Sequence, residues 1–272
     1  MKRQRTVLTL TAACTLMLVG WARVGRQQVI QGPELEHFLK DATIVTMKAI
    51  STGVTHPHKA TMELDGVTHA GIFKTIDEKA VIGSTQVEGG VEAEFQDSWR
   101  TEVAAYELDK LIGLGMVPTT VERTYQGTRG SMQFWVDSIM DEAKRQKDKI
   151  QPPDPSAWED QVSTMRLWDS LIYNVDRNEG NVLISADWHL IAIDHSRTFR
   201  PFSQLKDPKL LTRFSRARLA AIRALTEPIL KARLDKYLTP FQIQGILKRR
   251  DAIVALAAKL VAQKGEAAVL YQ

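Results

Sequence analysis

The chain has 272 residues, 44% hydrophobic and 25% charged, with a formal net charge of +4. That is an ordinary globular composition without repeats or long low-complexity tracts, and its length suits one large domain or two small lobes around a cleft. Cys14 is the only cysteine, so no disulfide framework can form, and a charge excess this small does not establish a nucleic-acid partner.

Met1–Arg5 is a basic lead, and residues 6–19 are apolar apart from threonines. Gly20-Trp21-Ala22 then sets small residues around one large one, the pattern of a signal peptide over residues 1–22. The run is short for a membrane span, so an uncleaved signal anchor ranks second and a buried helix third. The first two readings make the protein exported or membrane-anchored, with membrane association through its N-terminus. Basic residues on both sides (Lys2, Arg3 and Arg5; Arg23 and Arg26) leave the side of the membrane open. Leu10–Cys14 has a faint likeness to a lipoprotein box, from which Thr11 and the continuing apolar run depart.

Residues 23–140 are expected to form a sheet-rich N-lobe. A polar helical lead-in covers 23–40, and strand-like pairs follow at Ile44-Val45 and Ala49-Ile50. Next, Ser51, Thr52, Gly53, Val54 and Thr55 form a turn whose backbone N–H groups can fold over phosphates, Gly53 permitting close approach. An ordinary hairpin turn is the alternative. Strand-like runs at Ala60–Leu64 and Thr68–Lys74 flank Asp65-Gly66, a strong hairpin signal. Lys74 on such a strand faces either solvent or a cleft. A helix is expected over 103–114, with Glu102 at its start. That carboxylate either pairs with Lys74 or complements the helix dipole, and Glu92, Glu94 and Glu107 are rivals. His56, His58 and His69 do not form a zinc set and read as surface or turn residues. Val117–Val121 and Ser131–Val136 read as two more strands. Gln133, Phe134, Trp135 and Val136 cross toward a hinge where backbone groups can hold adenine, with core packing as the alternative for Phe134 or Trp135.

Residues 141–155 are charged and then proline-rich, the candidate linker before a helical C-lobe over 156–272. Ser156 and Glu159 fit a capping box opening a helix to about Tyr173. Asp176-Arg-Asn-Glu-Gly-Asn181 follows directly. Val182–Ile184 and Leu190–Ile193, separated by the turn-like Ser185–Trp188, read as a hairpin that brings Asn181 and Asp194 to one end. In this D-x-x-x-x-N spacing with a later aspartate, Asp176 can accept a hydroxyl proton. Asn181 and Asp194 supply hard oxygen ligands for the Mg2+ that neutralises ATP phosphates. From Pro208 the chain reads as helical, with Thr239-Pro240 as a cap. Its basic residues, from Lys206 to Arg250, read as solvated helix faces, an anionic surface contact being the alternative.

Asn174–Asn178 with Asn181, then Ile193-Asp194-His195-Ser196, resemble the atypical kinases around the phosphatidylinositol 3/4-kinase and HipA-type folds. Glu102–Leu114, Met116–Pro118, and Gly53–Thr55 with Pro57 are also similar to uncharacterised bacterial members of that group. The four-jointed-type secretory kinases are a more distant similarity. The resemblance spans about residues 43–200. It implies an α+β, bilobal protein-kinase-like fold with an antiparallel-sheet N-lobe and a mainly helical C-lobe, using ATP and Mg2+. It also implies Asp176 as catalytic base, Asn181 and Asp194 as metal ligands, and Lys74 as the phosphate-contacting lysine. Asn178 departs from the histidine usual in lipid kinases, and Asp194-His195-Ser196 from Asp-Phe-Gly; Ala-Pro-Glu is missing after it. The expected activity is a phosphotransferase acting on a hydroxyl of a protein, lipid or sugar, with a nucleotide-binding pseudokinase scaffold as the alternative.

Overall fold

The computed structural model describes residues 29–50, 57–79, 84–87, 90–93 and 95–272. The expected signal segment 1–22 and the expected phosphate turn at Ser51, Thr52, Gly53, Val54 and Thr55 lie outside the described residues. Among the described residues, no helix is long and apolar enough to cross a membrane.

Helix α1 (Pro33–Asp41) opens the described chain. It starts at the proline, whose fixed φ and missing N–H suit the first helical position, so among the described residues the expected lead-in is helical only from Pro33. Strand β1 (Thr43–Ala49) is continuous across the two strand-like pairs. Strands β2 (His58–Leu64) and β3 (Val67–Lys74) form the expected hairpin, with Asp65 and Gly66 both at positive φ in its turn. The short β4 (Asp77–Lys79) pairs with β7 (Gln96–Ser98), and β5 (Ser84–Val87) pairs with β6 (Gly90–Ala93) between them.

Helix α2 (Trp99–Ile112) begins four residues before the expected start. Ser98 is the reason: its hydroxyl accepts from Arg100 N and caps the helix. Gly113 ends it in the left-handed region at φ 61°. The buried carboxylate of Asp109 then takes the N–H groups of Gly115, Met116 and Val117 at 2.8–3.0 Å, turning the chain sharply. Because Pro118 follows in that turn, β8 starts only at Thr120 (Thr120–Tyr125), later than expected. It pairs with β9 (Thr128–Phe134). The main sheet is antiparallel in the order β1-β2-β3-β9-β8. Gly130 on β9 faces Lys74: an added Cβ there would overlap Lys74 O and lie 2.9 Å from the Phe73 ring.

The expected linker contains secondary structure. Strand β10 (Met140–Asp141) leads into α3 (Glu142–Lys147), which Asp141 caps at Lys144 N. Helix α4 (Pro155–Ile172) starts before the Ser156 box, because Asp154 accepts from Ser156 N and Ala157 N with Pro155 at the first position. Strands β11 (Val182–Ile184) and β12 (Leu190–Ala192) form the expected hairpin, with Val182 opposite Ala192 and β10 added on its outer side. The remainder is largely helical: α5 (Arg216–Ala224), α6 (Glu227–Leu234), α7 (Pro240–Lys264) and α8 (Glu266–Val269). Thr239 and Gln242 close the expected cap reciprocally. Strands β13 (Phe214–Ser215) and β14 (Leu270–Tyr271) pair in parallel and tie the C-terminus back.

Two apolar cores result. One lies under the sheet, where Phe38 and Leu39 of α1 meet Met62, Phe73, Val121, Met132 and Phe134. The larger joins α2, α4, the β11–β12 hairpin and the C-terminal helices. Helix α2 therefore packs on the helical core while its first turn reaches the sheet. The architecture is α+β, an antiparallel sheet beside a mainly helical part, as expected.

Candidate active site

The β11–β12 hairpin does what its sequence spacing predicts. Ile193 N donates to Asn181 O at 3.1 Å, which aligns the ends of the two strands and holds Asn181 near Asp194. Asp194 sits at φ 57°, a left-handed conformation that aspartate tolerates better than most side chains. Lys74, at the end of β3, is 8% exposed and turns into the cleft rather than to solvent. Its ammonium forms a short ion pair with Glu102 and lies 2.8 Å from Asp194 Oδ1. Glu102 is the partner among the four candidate glutamates. Glu107 instead pairs with Lys110 at 2.9 Å and Arg233 at 3.6 Å. The side chains of Glu92 and Glu94 lie outside the described residues.

These charges explain one another's ionisation. Burial pushes the Asp194 carboxyl up, but Lys74 and the Ser196 hydroxyl outweigh it and hold the group down at about 2. Burial works against the Lys74 cation too, and Asp194 and Glu102 more than offset it, so Lys74 stays charged. Glu102, fully enclosed, is pushed up by burial despite Lys74. Asp176, on the loop before β11, is pushed up by burial and by Asp194, against the opposing pull of Arg197 and Arg177. Arg197 Nη1 lies 3.6 Å from Asp176 Oδ2.

A cleft of about 360 Å3 opens beside this cluster. Lys74, Asn181 and Asp194 line it together with Ile72, Gln133, Phe134, Trp135, Val136, Leu183 and Ile193. All four expected hinge residues thus border the same cleft as the charged set. Their roles differ. The Gln133 side chain is committed to Thr120 Oγ1 at 2.9 Å. Phe134 N and Trp135 N donate to Thr119 O and Ala70 O, so those two amides serve the sheet rather than a ligand. Phe134 is also core, edge-on to His69, which in turn meets Phe38 edge-on. Trp135 is partly exposed under the Lys59 ammonium, 3.4 Å from its ring centroid. Among the described residues His58 and His69 belong to no group that could hold a metal, and His56 lies outside them.

The donor set suits a hard divalent cation. Asn181 Nδ2 donates to Asp176 O at 3.2 Å, which leaves the amide oxygen as its ligand atom. Asp194 Oδ1 is shared between Lys74 and Ser196, and the second oxygen remains. Among the described residues no three acidic, histidine or cysteine side chains make a complete cage. A Mg2+ held here would complete its shell with water and phosphate oxygens, as that ion ordinarily does.

Asp97, on β7, is a residue that the sequence pattern did not single out. It is buried, is hydrogen-bonded to Ser196, and has one carboxylate oxygen with no hydrogen-bond partner among the described residues. Burial first, and Asp194 beside it, push its carboxyl up. Its only sequence signal is the Ser98 cap, which fixes a strand-to-helix junction just after it. Arg177, next to Asp176 in the chain, has a side chain able either to brace the loop or to neutralise carboxylates. It braces: the guanidinium clasps Asp169 at 3.1–3.2 Å and donates to Asn181 O at 3.0 Å and Ile193 O at 2.7 Å.

A sheet lobe and a helical lobe, with a lysine–glutamate pair facing an aspartate across a cleft, define a protein-kinase-like fold. Solved structures agree with that class. Fam20 of hydra, determined with sugar, superposes with a TM-score of 0.66 at 16% identity, covering 87% of this chain and 91% of that one. The Golgi casein kinase bound to Mn and ADP superposes at 0.59 with 14% identity, covering 87% and 78%. The Helicobacter pylori proinflammatory kinase CtkA superposes at 0.50 with 12% identity, covering 83% and 98%. No protein-family model and no curated protein matches the chain. These similarities support an atypical-kinase-like fold for this chain. They do not support the assignment to phosphatidylinositol 3/4-kinases or HipA.

Proposed function

We propose that the protein is a phosphotransferase that uses ATP and Mg2+ to phosphorylate a hydroxyl on a protein, lipid or sugar acceptor. The observation that carries this reading is the Lys74–Glu102–Asp194 cluster: three residues far apart in sequence meet at the mouth of a cleft that Asn181 also lines.

Glu102 and Asp194 fix the Lys74 ammonium where it can meet the α- and β-phosphates of a nucleotide in the cleft. Asn181 and Asp194 would hold Mg2+, which neutralises phosphate charge when bound. Val136, one residue past the amides committed to the sheet, offers its backbone to the adenine edge. Asp176 orients the acceptor hydroxyl and takes its proton as the oxygen attacks the γ-phosphorus of ATP and the bond to the β-phosphate oxygen breaks, releasing ADP. Burial and Asp194 raise the Asp176 pKa above that of a free aspartate, which makes its carboxylate form the stronger base. Most of the rate would come from this positioning and charge complementarity. The N-terminal segment is proposed as a signal peptide that exports the enzyme or an anchor that holds it at the membrane.

One contact favours the pseudokinase reading: Arg197 stands against the proposed base. A thermal-shift series with ATP, with and without Mg2+, on wild type, Asp194→Ala and Asp176→Ala, followed by ATP turnover, separates the two. Stabilisation that needs Mg2+, is lost in Asp194→Ala and is kept in Asp176→Ala, with turnover lost in both variants, supports the enzyme. Binding without turnover in wild type supports the scaffold, and no nucleotide stabilisation refutes both.

A further inference from the structure

His195 follows the metal-binding aspartate and takes no direct part in the mechanism above, yet it is fully buried between the two lobes. Two groups that can only donate converge on its Nε2: the Trp168 indole N–H at 3.2 Å and Arg177 Nη2 at 3.0 Å. A ring nitrogen that receives two donors must carry the lone pair, so the imidazole is neutral with its proton on Nδ1. That nitrogen lies 3.9 Å from Glu102 Oε2, and the His195 backbone N–H donates to the same oxygen at 3.0 Å.

The imidazole completes a hub. A guanidinium has five N–H bonds. In Arg177, Nε–H and one Nη2–H go to Asp169. The two Nη1–H go to Asn181 O and Ile193 O, and the last Nη2–H goes to His195. The carbonyls it grips belong to one proposed metal ligand and to the residue before the other. Through its backbone, the same histidine holds the glutamate that holds Lys74.

We propose that His195 is a positioning residue: its Nε2 lone pair anchors Arg177, and Arg177 sets the separation of Asn181 and Asp194 for the divalent cation. This inference rests on the phosphotransferase reading. It predicts that loss of the acceptor nitrogen weakens metal–nucleotide binding although His195 touches neither metal nor nucleotide. Outer partners of metal ligands are ordinarily worth about 10–100-fold in metal affinity.

The test uses the full chain and Mn2+ with ADP as probe, with binding followed by electron paramagnetic resonance. His195→Leu removes the acceptor, while His195→Gln keeps an oxygen near the Nε2 position. The expected result is a loss of about 10–100-fold in Mn2+·ADP affinity for His195→Leu, mostly recovered in His195→Gln. Equal affinity in all three proteins, or equal loss in both variants, overturns the proposal while leaving the phosphotransferase reading intact. Failure of wild type to bind Mn2+·ADP overturns that reading and the proposal with it. Should His195→Leu not fold, the wild-type ring decides: long-range 1H–15N correlation is expected to show Nδ1 protonated and Nε2 bare. A proton on Nε2 overturns the proposal.

Discussion

Lys74→Met probes the charge cluster most directly. The lysine is the shared counter-charge of Glu102, whose side chain is 1% exposed, and of Asp194, at 31%. Removing one member of a buried ion pair ordinarily costs about 3–5 kcal/mol, because the survivor is left charged and desolvated. A second route gives a similar figure. Asp194 is held at about 2 against an ordinary 3.8, chiefly by Lys74. At 1.36 kcal/mol per unit, losing that depression costs about 2 kcal/mol for Asp194 alone. For a chain of this size each kcal/mol lowers Tm by about 2–4 °C, so Lys74→Met should melt roughly 6–20 °C below wild type at pH 8. The deficit should shrink toward pH 5. Glu102 is already pushed up by burial, and losing Lys74 raises it further. A carboxyl with a raised folded-state pKa contributes stability below its unfolded value, and that stability is lost as pH rises through the folded value. Adding Glu102→Gln should therefore restore part of the Tm at pH 8, without restoring Mg2+·ATP binding. Calorimetric or dye-monitored melts at pH 5 and 8 measure all of this. A Lys74→Met protein that melts with wild type at pH 8, or a double variant whose losses simply add, would refute the buried-cluster argument.

Three further outcomes are expected. Gly130→Ala forces a Cβ into Lys74 O and the Phe73 ring, so it should cost about 1–3 kcal/mol and also weaken nucleotide binding. Normal ADP affinity in a folded Gly130→Ala protein would sink the claim that this strand contact places Lys74. Gly245→Ala brings a Cβ to 2.9 Å from Arg249 Nη1 and 3.1 Å from Pro201 O, and Arg249 is pinned by the carbonyls of Leu171, Arg200 and Phe202. It should lower Tm by a comparable amount while leaving ADP affinity unchanged, as isothermal titration would show. Arg197→Ala removes a cation that lowers the Asp176 pKa, so the acid limb of the kcat/KM profile should move to higher pH. A limb that stays put or moves down would exclude Asp176 as the titrating base.

The sequence by itself determined the local parts. The Asp65-Gly66 turn, the Val182–Ala192 hairpin and the Thr239 cap are each set by neighbours a few residues apart, and side-chain chemistry at that range is written directly in the chain. The hairpin spacing alone brought Asn181 to Asp194, so half of the proposed phosphate site was legible before any fold. Helix starts were less so. Asp154-Pro155 and Ser156–Glu159 are both sound caps, and the chain used the first.

What only the tertiary structure decided involves residues distant in sequence. Lys74 facing the cleft, Glu102 chosen over its rivals, the buried Asp97 and the His195–Arg177 hub all join separate elements. Lys74 meets Asp194 across 120 residues, and Trp168 meets His195 across 27. No local pattern distinguishes a strand lysine bound for solvent from one bound for a cleft. The choice is made by which core each element buries. Helix α2 packs on the helical lobe while its first turn reaches the sheet, and that placement selects Glu102 and desolvates it.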